Sequence, residues 1–209
     1  PPEARGGSMP NQWHYRAETK EKAAGQAFLT LLQAFHEGTP PGQTGQLAQG
    51  EGATGLVLGT EVIAFATPGA RSTRALASLR FDGTAAASRQ GTGTARYLLV
   101  SGTRLQHGAT TLIASSAPCR VEAGWAGGSF ESTIAADADA NIGLHMGRRP
   151  AGVRLDGKML PPGKWSYDRR SGTLRLRVTK GEHTLSAVPA GVPQPAPAGT
   201  LRVTVGQAE

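Results

Sequence analysis

Two short segments of the chain set flat aromatic rings beside cationic side chains. They are Trp13-His14-Tyr15-Arg16 and Lys164-Trp165-Ser166-Tyr167-Asp168-Arg169-Arg170. An aromatic face stacks on a sugar ring, while the guanidinium fork of arginine pairs with a carboxylate or sulfate. The same tryptophans and tyrosines also suit the core of a β protein, where their polar tips find a hydrogen-bond partner. Charge supports the first use. Residues 1–139 carry no net charge, and the whole +7 of the protein falls in residues 140–209. There Arg148, Arg149, Arg154, Lys158, Lys164, Arg169, Arg170, Arg175, Arg177 and Lys180 crowd together. A field of one sign attracts a polyanion in a salt-sensitive way, although a solvated strand exterior also needs charge. The candidate substrate-binding side chains are therefore Trp13, His14, Arg16, Arg148, Arg149, Trp165, Tyr167, Arg169, Arg170, Arg175 and Arg177.

Patterns for other chemistry are missing. His14, His36, His107, His145 and His183 are scattered, with no HExxH and no carboxylate at ligand spacing, so no metal is expected in this chain. Asp137-Ala-Asp139-Ala-Asn141 starts like a calcium loop. It has Ile142 where a turning glycine is needed and Arg148 where a bidentate carboxylate is needed, so it reads as a turn. Gly91-Thr-Gly93-Thr-Ala-Arg96 lacks the Gly-Lys-Ser/Thr of a phosphate cradle, and Ser115, Ser116 and Ser129 lack a G-x-S-x-G elbow. No paired carboxylates stand out, and a single cysteine, Cys119, allows neither an internal disulfide nor a cysteine zinc site. Aromatic residues are only 5% and no RNP or zinc-finger pattern occurs, so nucleic acid is not an expected partner. No apolar run approaches the roughly 20 residues of a membrane-spanning helix.

The elements that must position these residues read as strands. Of 209 residues, 29 are glycine and 14 proline, too many for a helical bundle, while 38% hydrophobic residues are too many for a disordered chain. That length fits one large domain or one and a half small ones. Gln12–Arg16 alternates like a half-buried strand, and Ala27–Phe35 is an apolar run read as a central strand, while Gly38–Gly55 reads as a long mobile loop. Short strands follow at Leu56–Leu58, Glu61–Thr67, Ala75–Phe81, Ala95–Ser101, Thr110–Ser115, Arg120–Trp125, Ser129–Ala135, Ile142–Met146, Val153–Leu155, Trp165–Tyr167, Thr173–Val178 and His183–Val188. Glycine or proline turns divide them at the 8–12-residue spacing of an all-β antiparallel sandwich with many short strands. In Thr173–Val178 the alternation puts Leu174, Leu176 and Val178 inward and Arg175 and Arg177 outward. Residues 1–10 read as a tail or linker, 11–188 as the sandwich, 189–200 as a Pro/Ala-rich linker and 201–209 as a terminal strand or exit segment. The chain opens at Pro1 without a methionine or a signal peptide, which reads as a piece of something longer.

The order of segments resembles one known family. Asn11-Gln-Trp-His-Tyr15 followed by Ala27-Phe-Leu-Thr-Leu-Leu-Gln33 is similar to a passage of the heparinase II/III-like polysaccharide lyases. Arg96-Tyr-Leu-Leu-Val-Ser-Gly-Thr-Arg-Leu105 with Thr111-Leu-Ile-Ala-Ser115 resembles later strands of their β region. The pattern from Val153-Arg-Leu-Asp-Gly-Lys158 through Gly181-Glu-His-Thr184 is shared by many C-terminal sandwiches of sugar enzymes. The resemblance implies the C-terminal β portion of an enzyme that cleaves uronate-containing polysaccharide by β-elimination, in a secreted or periplasmic bacterial setting. It also implies an N-terminal helical toroid as partner and acidic polysaccharide as ligand, with a metal possible only in the full-length enzyme. The family's catalytic residues have no counterpart here, so catalysis is expected from groups outside this chain. The alternative is a free-standing carbohydrate-binding or structural β module of another carbohydrate-active enzyme.

Overall fold

The computed structural model describes residues 45–69, 72–91, 95–126 and 128–189. The expectations for Trp13, His14 and Arg16, for the strands Gln12–Arg16 and Ala27–Phe35, and for the segments 1–10 and 190–209 lie outside the described residues. The described part is all β and antiparallel, with fifteen strands in one continuous hydrogen-bonded network.

In chain order the strands are β1 (Gln46–Gly50), β2 (Ala53–Leu58), β3 (Glu61–Ala66), β4 (Arg74–Leu76), β5 (Leu79–Phe81), β6 (Ala85–Arg89), β7 (Arg96–His107) and β8 (Thr110–Ala126). Then come β9 (Ser129–Ala136), β10 (Ala140–His145), β11 (Pro150–Leu155), β12 (Lys158–Met159), β13 (Trp165–Asp168), β14 (Thr173–Val178) and β15 (Gly181–Pro189). The main path runs β1-β2-β3-β6-β7-β8-β9-β15-β11-β12. A second limb leaves it, because β5 also pairs with β7, and β10 pairs with β8 and carries β14 and β13.

Several elements differ from the sequence reading. The region 38–55 read as a loop contains β1 and the start of β2, whose pairing Gly55↔Ala64 with β3 depends on a glycine: a Cβ on Gly55 would lie 1.9 Å from the Ile63 carbonyl oxygen. Ala75–Phe81 is two strands around a turn at Ala77, whose φ is +50°. The alanine-rich β6 and the two-residue β12 carry too little pattern to be seen in sequence. Thr110–Ser115 and Arg120–Trp125, read as separate strands divided by Pro118, are one strand of 17 residues.

That long strand and its partner β7 serve both limbs. On β7, Arg96–Val100 pair with β6 while Leu105–His107 pair with β5. On β8, Ile113–Ser115 pair with β10 while Cys119–Ala126 pair with β9. The change of limb occurs where the β7–β8 register breaks: β7 advances only from Gly102 to Arg104 while β8 advances from Ala114 to Cys119. Such a bulge bends a strand and frees its backbone groups, and Pro118, which has no N–H to lose, lies inside it. Asp82 fastens the bend. Its carboxylate accepts the backbone N–H groups of Thr103 and Arg104, both at 2.8 Å, and also the Thr103 hydroxyl. Gly102 is required here, since a Cβ would lie 2.7 Å from both Gly83 Cα and the Asp82 carboxylate.

Leu99, Leu105, Ile113, Phe130, Ile134, Leu144 and Leu174 from both limbs are 0% exposed and share one core cluster. The Tyr97 hydroxyl donates to the His145 carbonyl at 2.7 Å, tying β7 to β10, and burial pushes the phenol well above its ordinary range. We predict that Asp82→Ala lowers stability by about 2–3 kcal/mol, because two backbone donors at the bend lose their acceptor. Asp82→Asn, which keeps a carbonyl oxygen, should cost less. Urea unfolding of the two variants checks the difference.

Candidate functional site

The sequence pattern on β14 places its arginines as expected. Leu174, Leu176 and Val178 are buried, and Arg175 and Arg177 are exposed. Pairing then builds a row across five strands: Ser166, Arg175, Gly143, Ala114 and Arg104. With strands about 4.8 Å apart, Arg104 and Arg175 stand roughly 14 Å apart across a low floor. Arg177 forms an exposed pair with Asp139 at 3.2 Å, and Arg175 a longer one with Asp168 at 3.9 Å. Exposed pairs of this kind contribute little and exchange readily with another anion. Arg104 has no side-chain partner among the described residues.

Asp168 braces the β13–β14 turn more than it neutralises an arginine. It accepts the Ser171 hydroxyl at 2.8 Å and the Arg170 N–H at 2.9 Å, and these bonds hold its carboxyl below the usual range. The turn so formed exposes Arg169 and Arg170. Trp165 and Tyr167 point to the other side of the sheet, half-buried against the core, so they serve packing rather than the arginine face. Partial burial, then the nearby Asp168 charge, raises the Tyr167 phenol.

Arg148 and Arg149 sit on the turn between β10 and β11, and the two arginine-bearing turns are fastened together. The N–H groups of Met146 and Gly147 both donate to the Gly172 carbonyl, at 2.9 and 3.0 Å. His145 Nδ1–H donates to the Ser171 carbonyl at 2.9 Å. Two glycines allow the approach: Gly172 has φ +66°, and a Cβ there would lie 3.0 Å from Gly147 Cα. The result is an exposed rim bearing Arg148, Arg149, Arg169 and Arg170, none of which has an acidic partner among the described residues. Arg148 lies with its guanidinium carbon 5.9 Å from the centre of the Trp125 ring, in the range of a cation–π contact. Trp125 in turn meets Phe130 edge to face at 5.6 Å.

Trp125 was legible only as a strand residue, because the cation that meets it, Arg148, lies 23 residues away in sequence. The same holds for an open groove of about 410 Å³ on the outer face of β7, β8, β9 and β15. There the row Arg96, Gly124, Glu131, Ser186 and Arg154 lies beside Glu122, Thr133 and Thr184. Its charges are of both signs, so it offers a polyanion no net attraction.

A third feature joins the β11–β12 turn to the start of β15. Asp156, with φ +52°, accepts the His183 Nδ1–H at 2.8 Å and the Thr184 N–H at 2.8 Å. The other nitrogen of His183 faces the Thr179 carbonyl at 3.1 Å. The Thr179 hydroxyl lies 3.3 Å from the same nitrogen, so Nε2 has an acceptor beside it when protonated and a donor when not. The Asp156 bond raises the His183 imidazole and, reciprocally, lowers the Asp156 carboxyl.

Among the described residues no three histidine, cysteine or acidic side chains gather as a metal site, and no helix is long and apolar enough to cross a membrane. Comparison with protein-family models finds no match, and comparison with curated proteins finds none either.

Two predictions follow from this geometry. Gly172→Ala should destabilise by about 1–3 kcal/mol through a strained φ and the clash with Gly147, and it should raise amide exchange at Met146 and Gly147. For the latch, the His183 contribution is fully present below the unfolded value of about 6.5 and is lost as pH rises through its raised folded value. The Asp156 contribution is present above about 3.9 and is lost as pH falls through its lowered folded value. The stability gap between the wild type and His183→Ala should therefore be widest between about pH 4 and 6.5 and shrink on either side, as read from urea midpoints at each pH.

Proposed function

We propose that this chain is a non-catalytic antiparallel β module that binds acidic polysaccharide. In this reading it forms the C-terminal portion of a heparinase II/III-like lyase that cleaves uronate linkages by β-elimination, with the toroid as its partner and the catalytic groups outside these residues. The observation that carries the binding half is the fastening of the Gly147–Arg149 turn to the Ser171–Gly172 turn. It gathers Arg148, Arg149, Arg169 and Arg170 from two turns into one rim, at the end of a sheet face that continues through Arg175 and Arg177. A flexible anionic chain gains from such a gathering because several weak contacts form along one path. The lyase half rests on the order of sequence segments.

Replacing Arg175 and Arg177 by Glu, and separately Arg169 and Arg170 by Glu, should each shorten salt-dependent retention on immobilised heparin. Folding should stay within about 1 kcal/mol of wild type, as expected at exposed positions. Unchanged retention in both double variants would overturn the binding reading. The chain by itself should produce no ultraviolet absorbance of unsaturated uronate from heparin, alginate or pectate, and growth of that absorbance would show that catalytic groups lie within it.

A further inference from the structure

We infer that the cavity beneath the Gly147–Arg149 turn is a binding site for a single acidic pyranose residue, such as the terminal sugar of an anionic glycan. From the proposed function this takes only that the ligand is an acidic sugar. The cavity encloses about 240 Å³ where the two limbs meet at one end of the fold. Tyr97, Trp125, Phe130, Leu112 and Met146 supply apolar and aromatic walls. That is room for one six-membered ring and not for a chain threaded through it, and aromatic walls suit the C–H face of a pyranose.

The polar handles are few and defined. Ser88 Oγ accepts a Gln90 side-chain N–H at 3.1 Å and lies 3.2 Å from His107 Nδ1, so Nδ1 is the ring nitrogen already engaged. His107 Nε2 has no protein partner among the described residues and can exchange a hydrogen bond with a ligand hydroxyl, and burial, which lowers the His107 value, favours the neutral ring. Gln90 keeps its carbonyl oxygen, and Thr110 adds a hydroxyl at the mouth. Tyr97 has no proton to offer, since its hydroxyl donates to the His145 carbonyl. Arg148 does not line the cavity itself, but its guanidinium carbon lies 5.9 Å from the centre of Trp125, a wall residue, and it has no acidic partner among the described residues. A ligand that uses all of this has a saturated ring with apolar faces, hydroxyls at its edge and one carboxylate directed outward. An aromatic acid would occupy the walls and leave His107, Gln90 and Thr110 without a partner.

The test titrates the full chain with sodium glucuronate, glucose and benzoate, followed by calorimetry and by the NMR signals of the Trp125 indole N–H and the His107 ring. Glucuronate should bind and shift both signals, and glucose should bind about tenfold more weakly, the worth of one charge-assisted hydrogen bond. Arg148→Glu, at an exposed turn position, should reduce glucuronate affinity to the level of glucose and leave glucose unchanged. Absence of glucuronate binding, benzoate binding as well as glucuronate, or indifference of glucuronate to Arg148→Glu would each overturn the inference. The Arg175→Glu, Arg177→Glu double variant separates this site from the polymer-binding face. It should keep full glucuronate affinity whatever its retention on heparin, and a loss of glucuronate binding there would place the sugar elsewhere.

Discussion

A strand that belongs to two limbs must bend, and every backbone group released at the bend must find another partner. In this protein β7 and β8 meet that demand together. The Asp82 carboxylate takes up the freed N–H groups of Thr103 and Arg104, Gly102 admits the close approach of Gly83, and Pro118 sits where no N–H is needed. Hydrogen bonding therefore continues from β1 to β12 and into the branch of β10, β14 and β13 without a break. Inward residues of both limbs then close on one core, with Tyr97 bridging to the His145 carbonyl.

The arginine rim and the aromatic cavity are consequences of that bend. Because β10 and β14 hang from the first half of β8, the β10–β11 and β13–β14 turns emerge side by side at the same end as Trp125, which lies near the end of the second half. The arginine rim and the aromatic cavity are in this sense one feature. Residues far apart in the chain meet because one strand carries them to a common edge. The cost of gathering like charges is small here, since each guanidinium keeps its water on the outer side of a turn.

The Asp156–His183 pair acts in a different way. It fastens the turn of the short β11–β12 hairpin to the start of β15, continuing the register in which β11 already pairs with β15. Its bonds suit a charged imidazole, so this corner is fastened most firmly in mildly acidic solution.

Much of the fold was readable from residue alternation and turn chemistry alone. Leu174, Leu176 and Val178 against Arg175 and Arg177 determined both the strand and its outward charge, because a one-residue slip would bury two guanidinium groups. Glycine and proline pairs marked most of the turns for the same local reason, a backbone conformation other residues resist. β6 escaped notice because alanine alternates with alanine, and the bend within β8 was misread because Pro118 normally ends a strand and here occupies a bulge. Trp165 and Tyr167 could not be assigned to core or surface from type alone, since an aromatic ring suits either and only the pairing of β13 with β14 turns them inward. What the sequence determined was the local period, the excess of cationic residues in the last third and the all-β character. Which arginines stand together, and that Arg148 overhangs Trp125, was decided by tertiary structure, because strand pairing between distant segments is set by the whole core and leaves no trace in the spacing of the residues it brings into contact.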